Sequence, residues 1–194
     1  MTITGMILAG GRGSRMGGVD KGLQAFRGEP MVAHVMRRLA PQVSTLAINA
    51  NQNLDVYHRF GLPVWPDRME EFPGPLAGLQ TGLAHCETPL LVTAPCDSPF
   101  LPMDLVARLR DALHSESADI AYAETGEGES RQAHPVFCLL KAALLPSLSD
   151  YLESGERKMG KWFARLRAVK VHFLDEEAFR NINTLEELHK LETP

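Results

Sequence analysis

Disulfide chemistry has little to work with in this sequence. It holds three cysteines, Cys86, Cys96 and Cys138, an odd number without short spacing. Neither a disulfide framework nor a Cys-x-x-Cys zinc half-site can be built from them. A reduced, cytoplasmic setting is expected. Positive charge is also scarce: 20 Lys+Arg against 24 Asp+Glu give a net charge of -4. Without a global basic field, broad binding to the phosphates of duplex nucleic acid is excluded, although a local anion site remains allowed. No apolar run approaches the length of a membrane span. The N-terminal run Met6 to Ala9 is short and no Lys or Arg precedes Arg12, so neither a signal segment nor a membrane partner is expected. The seven histidines are scattered, with no His-Glu-x-x-His. Repeats, low-complexity tracts and an interdomain linker are all missing.

What is present reads as one compact domain. At 194 residues, 44% hydrophobic and 23% charged, the chain can bury a core without staples. Apolar, β-branched runs alternate with helical patterns. Strands are expected at Ile3 to Ala9, Leu46 to Ala50, Pro63 to Pro66 and Leu90 to Ala94. Helices are expected at Pro30 to Val43, Asn53 to Phe60, Leu76 to His85 and Pro102 to His114. The second half continues with a strand at Ala118 to Ala123, a polar loop Thr125 to Gln132 and a returning strand Val136 to Leu140. Helices at Ala142 to Leu152 and Met159 to Leu166 and a strand at Val169 to Leu174 follow. Thr184 and Glu187 form a capping box for a last helix carrying Leu185, Leu188 and Leu191. Strands separated by helices imply an α/β fold with a mostly parallel sheet. Ligands of such sheets bind beyond the carboxyl ends of the strands, which directs attention to the residues after Ala9, Ala50, Val64 and Ala94.

The most informative segment is Leu8-Ala9-Gly10-Gly11-Arg12-Gly13-Ser14-Arg15-Met16-Gly17-Gly18-Val19-Asp20-Lys21. Glycines after a buried strand let backbone N–H groups approach a phosphate, and Arg15 and Lys21 add charge. It is neither of the two familiar phosphate loops. Met16 stands where a dinucleotide fingerprint starting at Gly11 needs its last glycine, and Val19 where a Walker loop starting at Gly13 needs lysine. On composition alone a glycine-rich surface turn stays open. Asp97, in Pro95-Cys96-Asp97 at a strand end, suits a hard cation or caps the next helix. Gly78 inside a helix calls for a packing or close-approach reason, the ligand slightly favoured. Asn181 and Asn183, two apart before the capped helix, point the same way on an extended segment. The run Arg157-Lys158, Lys161, Arg165, Arg167, Lys170 is basic, and such a run is more often a solvated face. His134 reads as a packing residue. Cys96 beside Asp97 lacks an evident activating base, so a nucleophile role is disfavoured.

The order of these residues resembles the nucleotidyltransferases that act on sugar phosphates and related acceptors. The form Leu8-Ala9-Gly10-Gly11 with Arg15-Met16-Gly17-Gly18-Val19-Asp20-Lys21 is similar to the molybdenum cofactor guanylyltransferases. The resemblance continues through Asn49-Ala50-Asn51, Asp67, Pro73-Gly74-Pro75-Leu76-Ala77-Gly78, Pro95-Cys96-Asp97-Ser98-Pro99, His134-Pro135, Gly155-Glu156-Arg157 and Asn181-Ile182-Asn183-Thr184. It implies a single-domain three-layer α/β/α sandwich with a Rossmann-like, mostly parallel sheet of the nucleotide-diphospho-sugar transferase type. Residues 1–100 would form the GTP half and 101–194 the acceptor half.

The resemblance implies GMP transfer from GTP to the terminal phosphate of molybdenum-molybdopterin, with Mg²⁺ as cofactor. It places Arg15, Lys21 and Asp97 in catalysis. GTP would be bound by Leu8, Ala9, Gly10, Gly11, Lys21, Asn49, Asp67, Gly74, Gly78 and Asp97, with Asp97 as metal ligand. Arg157, Asn181 and Asn183 belong to the acceptor side. Asp67 can accept from guanine N1–H and N2–H₂, although ribose binding or simple strand termination stay open. Delivery to cofactor-insertion proteins or molybdoenzyme apoproteins follows from such a product. Two departures stand out. Gly28-Glu29-Pro30 replaces the Gly-Lys-Pro of many relatives, and no second acidic metal ligand lies near the late asparagines. The rivals are a CTP-dependent cytidylyltransferase of the same pterin, a sugar-1-phosphate nucleotidyltransferase and a non-catalytic nucleotide or cofactor carrier. Leu-Ala-Ala-Gly would mark the first of these, and the short chain argues against the second.

Overall fold

The computed structural model describes residues 2–11, 20–68 and 74–192. The chain opens with strand β1 (Ile3–Leu8), a small hairpin of β2 (Ala25–Phe26) and β3 (Glu29–Pro30), and helix α1 (Met31–Leu39). Strand β4 (Thr45–Asn49), helix α2 (Leu54–His58), strand β5 (Val64–Trp65), helix α3 (Pro75–His85) and strand β6 (Leu90–Pro95) complete the first half. Helix α4 (Leu105–Ser115) leads to the long hairpin of β7 (Ile120–Thr125) and β8 (Gln132–Lys141). Helices α5 (Leu145–Glu153) and α6 (Met159–Phe163), strand β9 (Ala168–His172) and helix α7 (Leu185–Glu192) close the chain.

Seven strands form the central sheet in the order β5-β4-β1-β6-β8-β7-β9. Neighbours pair in parallel except at β8, which runs antiparallel to both β6 and β7. The continuous apolar runs of β1 and β6 follow from cover on both faces: all but the last residue of each is buried. On one face Val32, Val35 and Leu39 of α1 and Leu105 and Leu109 of α4 enter one core. On the other, Leu79 and Leu83 of α3, Tyr151 of α5 and Trp162 of α6 enter a second. This is the expected three-layer α/β/α architecture. A third, small cluster of Phe26, Met31, Ile182 and Leu188 packs the β2–β3 hairpin against α7.

The departures from expectation lie at boundaries and have local causes. Helix α1 stops at Leu39 and tightens into a 3₁₀ turn, Ala40–Gln42, because Pro41 has no N–H to continue it. Pro30, expected in that helix, belongs to β3; Arg27 (φ 51) and Gly28 (φ 82) make the tight turn before it, as a two-residue hairpin requires. Glu29 is ion-paired with Arg37. Helix α4 begins at Leu105, not at Pro102, whose carbonyl accepts from Leu105 N–H in a turn and from Gln42 Nε2 (2.9 Å). Strand β8 starts at Gln132, so the loop of the hairpin is shorter than expected. The capping box is present: Glu187 N–H donates to Thr184 Oγ1 (3.1 Å), and Glu187 Oε2 accepts from Thr184 N–H (3.2 Å).

The basic stretch after Arg157 is taken up locally. Lys161 pairs with Glu156, Lys170 with Glu124 and Arg167 with Asp119, while Arg165 lies over the Tyr151 ring. Asp119 accepts from both Arg167 Nη2 (2.7 Å) and Lys141 Nζ (2.9 Å). The Arg167 guanidinium first, then Lys141, holds the Asp119 carboxyl well below the usual carboxylate range. A lowered folded pKa stabilises above the unfolded value near 4, and that stability is lost as pH falls through the folded value. Asp119→Asn is therefore expected to lower Tm at pH 7 by roughly 2–4 °C, the scale of a partly exposed ion pair in a chain of this length. The difference between variant and parent should close as pH falls towards 2, which thermal melts across pH would read.

Candidate functional site

The chain direction splits at β1: β4 and β5 lie to one side and β6 to the other. That switch point opens a crevice beyond the carboxyl ends of β1 and β6. A cleft of about 250 Å³ lies there, walled by Ala9, Gly10, Lys21, Asn49, Gly74 and Asp97 among others. Leu8, Gly11 and Asn181 also reach its wall. Arg15 and its neighbours in 12–19 lie outside the described residues, as does Pro73.

The nucleotide side of the cleft is a network of asparagines around one carboxylate. Asn49, ending β4, donates through Nδ2 to the Trp65 carbonyl (3.0 Å) and to Asp67 Oδ1 (2.9 Å). Asn51 donates to Asp67 Oδ2 (2.7 Å) and to the Gly10 carbonyl (3.0 Å), and accepts from the Asp67 N–H (2.8 Å). The first glycine loop residue and the end of β5 are thereby locked together. Asn51 joins this network beside the expected Asn49; its polarity at an exposed strand exit is the sequence signal for it.

Two glycines make room for this network. A Cβ on Gly10 would stand 2.8 Å from Asn51 Nδ2, and one on Gly78 would stand 2.3 Å from Asn49 Oδ1 and 3.0 Å from Leu8 Cδ2. The close approach at Gly78 is thus helix α3 seating on the Asn49 side chain. That supplies a packing reason for the glycine; the ligand approach slightly favoured from sequence stays an expectation. Gly74, with φ 143, turns the chain into α3 in a conformation that L side chains rarely adopt. The N-terminus of α3 thereby faces the cleft with its positive dipole end.

The other side is built around Lys21 and Asp97. Lys21 Nζ donates to Asp97 Oδ2 (3.3 Å) and to Asn183 Oδ1 (2.7 Å). One ammonium thus joins the loop after β1, the end of β6 and a segment 162 residues away. That segment is held by main chain: Ile182 N–H donates to the Asp97 carbonyl (2.8 Å), and the Ile182 side chain is fully buried. Alternation places Asn181 and Asn183 on the opposite side from Ile182. Asn181 Oδ1 accepts from Ser98 Oγ (2.6 Å). Arg157 is not brought to the cleft wall; exposed after α5, it donates to the Leu152 and Glu156 carbonyls.

Burial pushes the Asp97 carboxyl up, against the opposing pull of Lys21. Its Oδ1 is buried and meets no hydrogen-bond partner among the described residues. A buried carboxylate oxygen with unused lone pairs beside a cleft is the donor a hard cation takes. No group of three or more acidic, His or Cys side chains is gathered among the described residues, so phosphates and water would have to complete the shell. Burial also pushes the Cys96 thiol well above its ordinary value, which keeps it protonated and unreactive. His134 packs: it stacks on Phe179 and hydrogen-bonds Thr125 Oγ1 (2.8 Å), and burial lowers its pKa. Asp20, not singled out from sequence, also reaches the cleft wall.

Comparison with known proteins gives a consistent result. The family model for the MobA-like NTP transferase domain matches residues 5–170. The chain is 56% identical over 189 residues to a molybdenum cofactor guanylyltransferase of Bordetella petrii, covering 97% of this chain and 96% of that one. It is 57% identical over 192 residues to the protein of the same name from Cupriavidus necator, covering 98% and 96%. Among solved structures, molybdopterin-guanine dinucleotide biosynthesis protein A from Archaeoglobus fulgidus superposes with a TM-score of 0.79 over 97% of this chain and 96% of that one, at 20% identity.

Proposed function

The chain belongs to the MobA-like NTP transferase family, and from that premise we propose that it transfers GMP from GTP to the terminal phosphate of molybdenum-molybdopterin. The products are pyrophosphate and the guanine dinucleotide form of the cofactor. The observation that carries this reading is the Lys21 ammonium, held at once by Asp97 and by Asn183. A group that stabilises charge in nucleotidyl transfer must touch both the nucleotide and the acceptor side, and Lys21 alone among the described cations bridges these two segments. The working division into a GTP half, residues 1–100, and an acceptor half, 101–194, meets at that charge.

A phosphate oxygen of the pterin attacks the α-phosphorus, and the bond from that phosphorus to the bridging oxygen of pyrophosphate breaks. The attacking oxygen is already anionic at neutral pH, so no general base is required. Catalysis is then positioning and electrostatic stabilisation. Gly10, Gly11 and the N-terminus of α3 offer backbone dipoles to the triphosphate. Lys21 neutralises charge on the reacting phosphate, and Arg15 is proposed to join it. Asn181 and Asn183 present carboxamides to the acceptor, with Arg157 the least supported of the acceptor residues.

A divalent metal dependence is what the family suggests, and Mg²⁺ is the ion proposed. Asp97 would hold it through the unpartnered Oδ1, and when bound it offsets negative charge on the phosphates. A cytoplasmic location and hand-over to molybdoenzyme apoproteins or cofactor-insertion proteins complete the proposal. Among the described residues no helix is long and apolar enough to cross a membrane.

The direct experiment combines the protein with Mg²⁺, molybdenum-loaded pterin and each nucleoside triphosphate in turn. Pyrophosphate and dinucleotide are expected with GTP; release with CTP and none with GTP overturns the reading. The same assay tests base recognition. Asn49 and Asn51 occupy one lone pair on each Asp67 oxygen, so each oxygen keeps another for guanine. Asp67→Asn is expected to lower the GTP-over-CTP preference by about 10- to 100-fold, as loss of a matched polar contact does. An unchanged preference removes the base-reading role.

A further inference from the structure

Beside Lys21 stands a second carboxylate, and its surroundings differ from those of Asp97. Asp20 is buried, at 7% exposure. Its Oδ1 accepts from the Tyr57 hydroxyl (2.6 Å) and its Oδ2 from Asn53 Nδ2 (3.1 Å). Both oxygens are therefore engaged by neutral donors, Asn53 just before α2 and Tyr57 within it, while the neighbouring ammonium turns away to Asp97 and Asn183. The Asp20 carbonyl accepts from Leu23 N–H (3.2 Å) and from Gln24 Nε2 (3.4 Å), which starts the 3₁₀ turn Lys21–Leu23. The turn is wedged from both sides: a Cβ on Gly22 would stand 2.5 Å from Tyr57 Oη and 3.2 Å from Cys96 Sγ. Asn53 adopts a left-handed conformation, φ 53 and ψ 32, which few non-glycine residues other than Asn and Asp tolerate.

A buried phenol has to place its hydroxyl, and the Tyr57 ring is fully buried in the core shared by α1 and α4. The core needs only the ring. The hydroxyl serves the one carboxylate adjacent in sequence to Lys21. Burial above all, with the hydrogen bond to Asp20 adding to it, holds the phenol well above its ordinary pKa, so it remains a donor. We propose that Tyr57, acting through Asp20 with Asn53 as second support, is a positioning residue that sets where the Lys21 ammonium sits in the cleft. This rests on the nucleotidyl-transfer reading and deepens it: rate depends on a side chain that touches no substrate.

The test uses Tyr57→Phe, which keeps the buried ring, and Tyr151→Phe as a comparison. Tyr151 is equally buried, at 1% exposure, and its hydroxyl donates to the Lys158 carbonyl (2.9 Å) on the other face of the sheet. Tyr57→Phe is expected to lower kcat for GMP transfer about tenfold, below the 10²-fold that a 1 Å misplacement produces, with KM for GTP within about twofold. Tyr151→Phe should lower Tm similarly and leave kcat unchanged. In a Lys21→Ala background, Tyr57→Phe should bring no further loss of kcat, because its effect passes through that lysine. Equal kcat losses in both tyrosine variants, or a further tenfold loss without Lys21, overturn the proposal. Amide hydrogen exchange at Leu23 and Gln24 reads the anchor independently of turnover. Faster exchange in Tyr57→Phe than in Tyr151→Phe is expected, and no difference overturns the anchor. If the parent protein releases no pyrophosphate with any nucleotide, the transfer reading fails, while the exchange result still decides whether Tyr57 holds the turn.

Discussion

Asp97→Ala is expected to reduce turnover about a thousandfold, the loss seen when a group that stabilises transition-state charge is removed, while leaving the protein as stable as the parent or more so. The two halves of that expectation have one cause. Asp97 Oδ1 is buried without a hydrogen-bond partner among the described residues, and burial raises the carboxyl pKa despite Lys21. A buried, half-satisfied carboxylate costs folding energy. Its removal leaves Lys21 with Asn183 (2.7 Å) as a partner, so no new orphan is created. Activity and stability should therefore move in opposite directions, as they do where a site holds strain for function. Melting curves and pyrophosphate release on one preparation check it. Loss of both would mean that Asp97 is a structural residue. Retained turnover would remove it from the chemistry and favour a chain that binds nucleotide without transferring it.

Much of the fold was legible because its causes are local. β1 and β6 are near-continuous apolar runs, which only a sheet covered on both faces explains. Thr184 and Glu187 announce a helix start through a reciprocal pair of hydrogen bonds. Prolines misled: Pro30 and Pro102 fit a first helical turn, yet Pro30 ends a hairpin and Pro102 sits before α4. A fixed φ suits several turns equally well, and the competing tertiary contacts leave no mark in the local sequence. The β2–β3 hairpin was missed for the same reason. Arg27 takes a positive φ without being a residue type that favours it.

The candidate site divides along the same line. Residues at strand ends could be found because an α/β sheet collects them at one edge, and Asn49 and Asp97 do meet there, with Lys21 and Asn181 reaching the same cleft from turns and loops. What each touches was not legible. That Asn183 would bond Lys21 across 162 positions, or that Gly78 is glycine to admit Asn49, depends on packing between elements distant in sequence. Tyr57 gave no signal at all, since a buried tyrosine in a short helix reads as core. Arg157 is the converse case: the resemblance places it on the acceptor side, and the structure shows it exposed after α5, donating to the Leu152 and Glu156 carbonyls.

Lys21→Ala should match Asp97→Ala in lost turnover, about a thousandfold, and differ from it in stability. Removing the ammonium takes the Lys21 partner from Asp97 Oδ2 while Oδ1 already has none among the described residues, the case in which breaking a pair costs more than deleting it. Lys21 keeps 20% of its side chain exposed, so solvent relieves part of that penalty and a Tm loss of a few degrees is expected. The double variant Lys21→Ala/Asp97→Ala then gives the decisive comparison. Its Tm should recover above that of Lys21→Ala alone, because the stranded carboxylate is gone, while its turnover stays near that of either single variant. Groups that act as one unit in a transition state are non-additive in this way. Turnover losses that multiply in the double variant would mean that the two residues act in separate steps, and the shared site built on the Lys21–Asp97 contact would fall. Lys21→Arg should not rescue: a planar fork cannot replace a compact ammonium placed between Asp97 Oδ2 and Asn183 Oδ1.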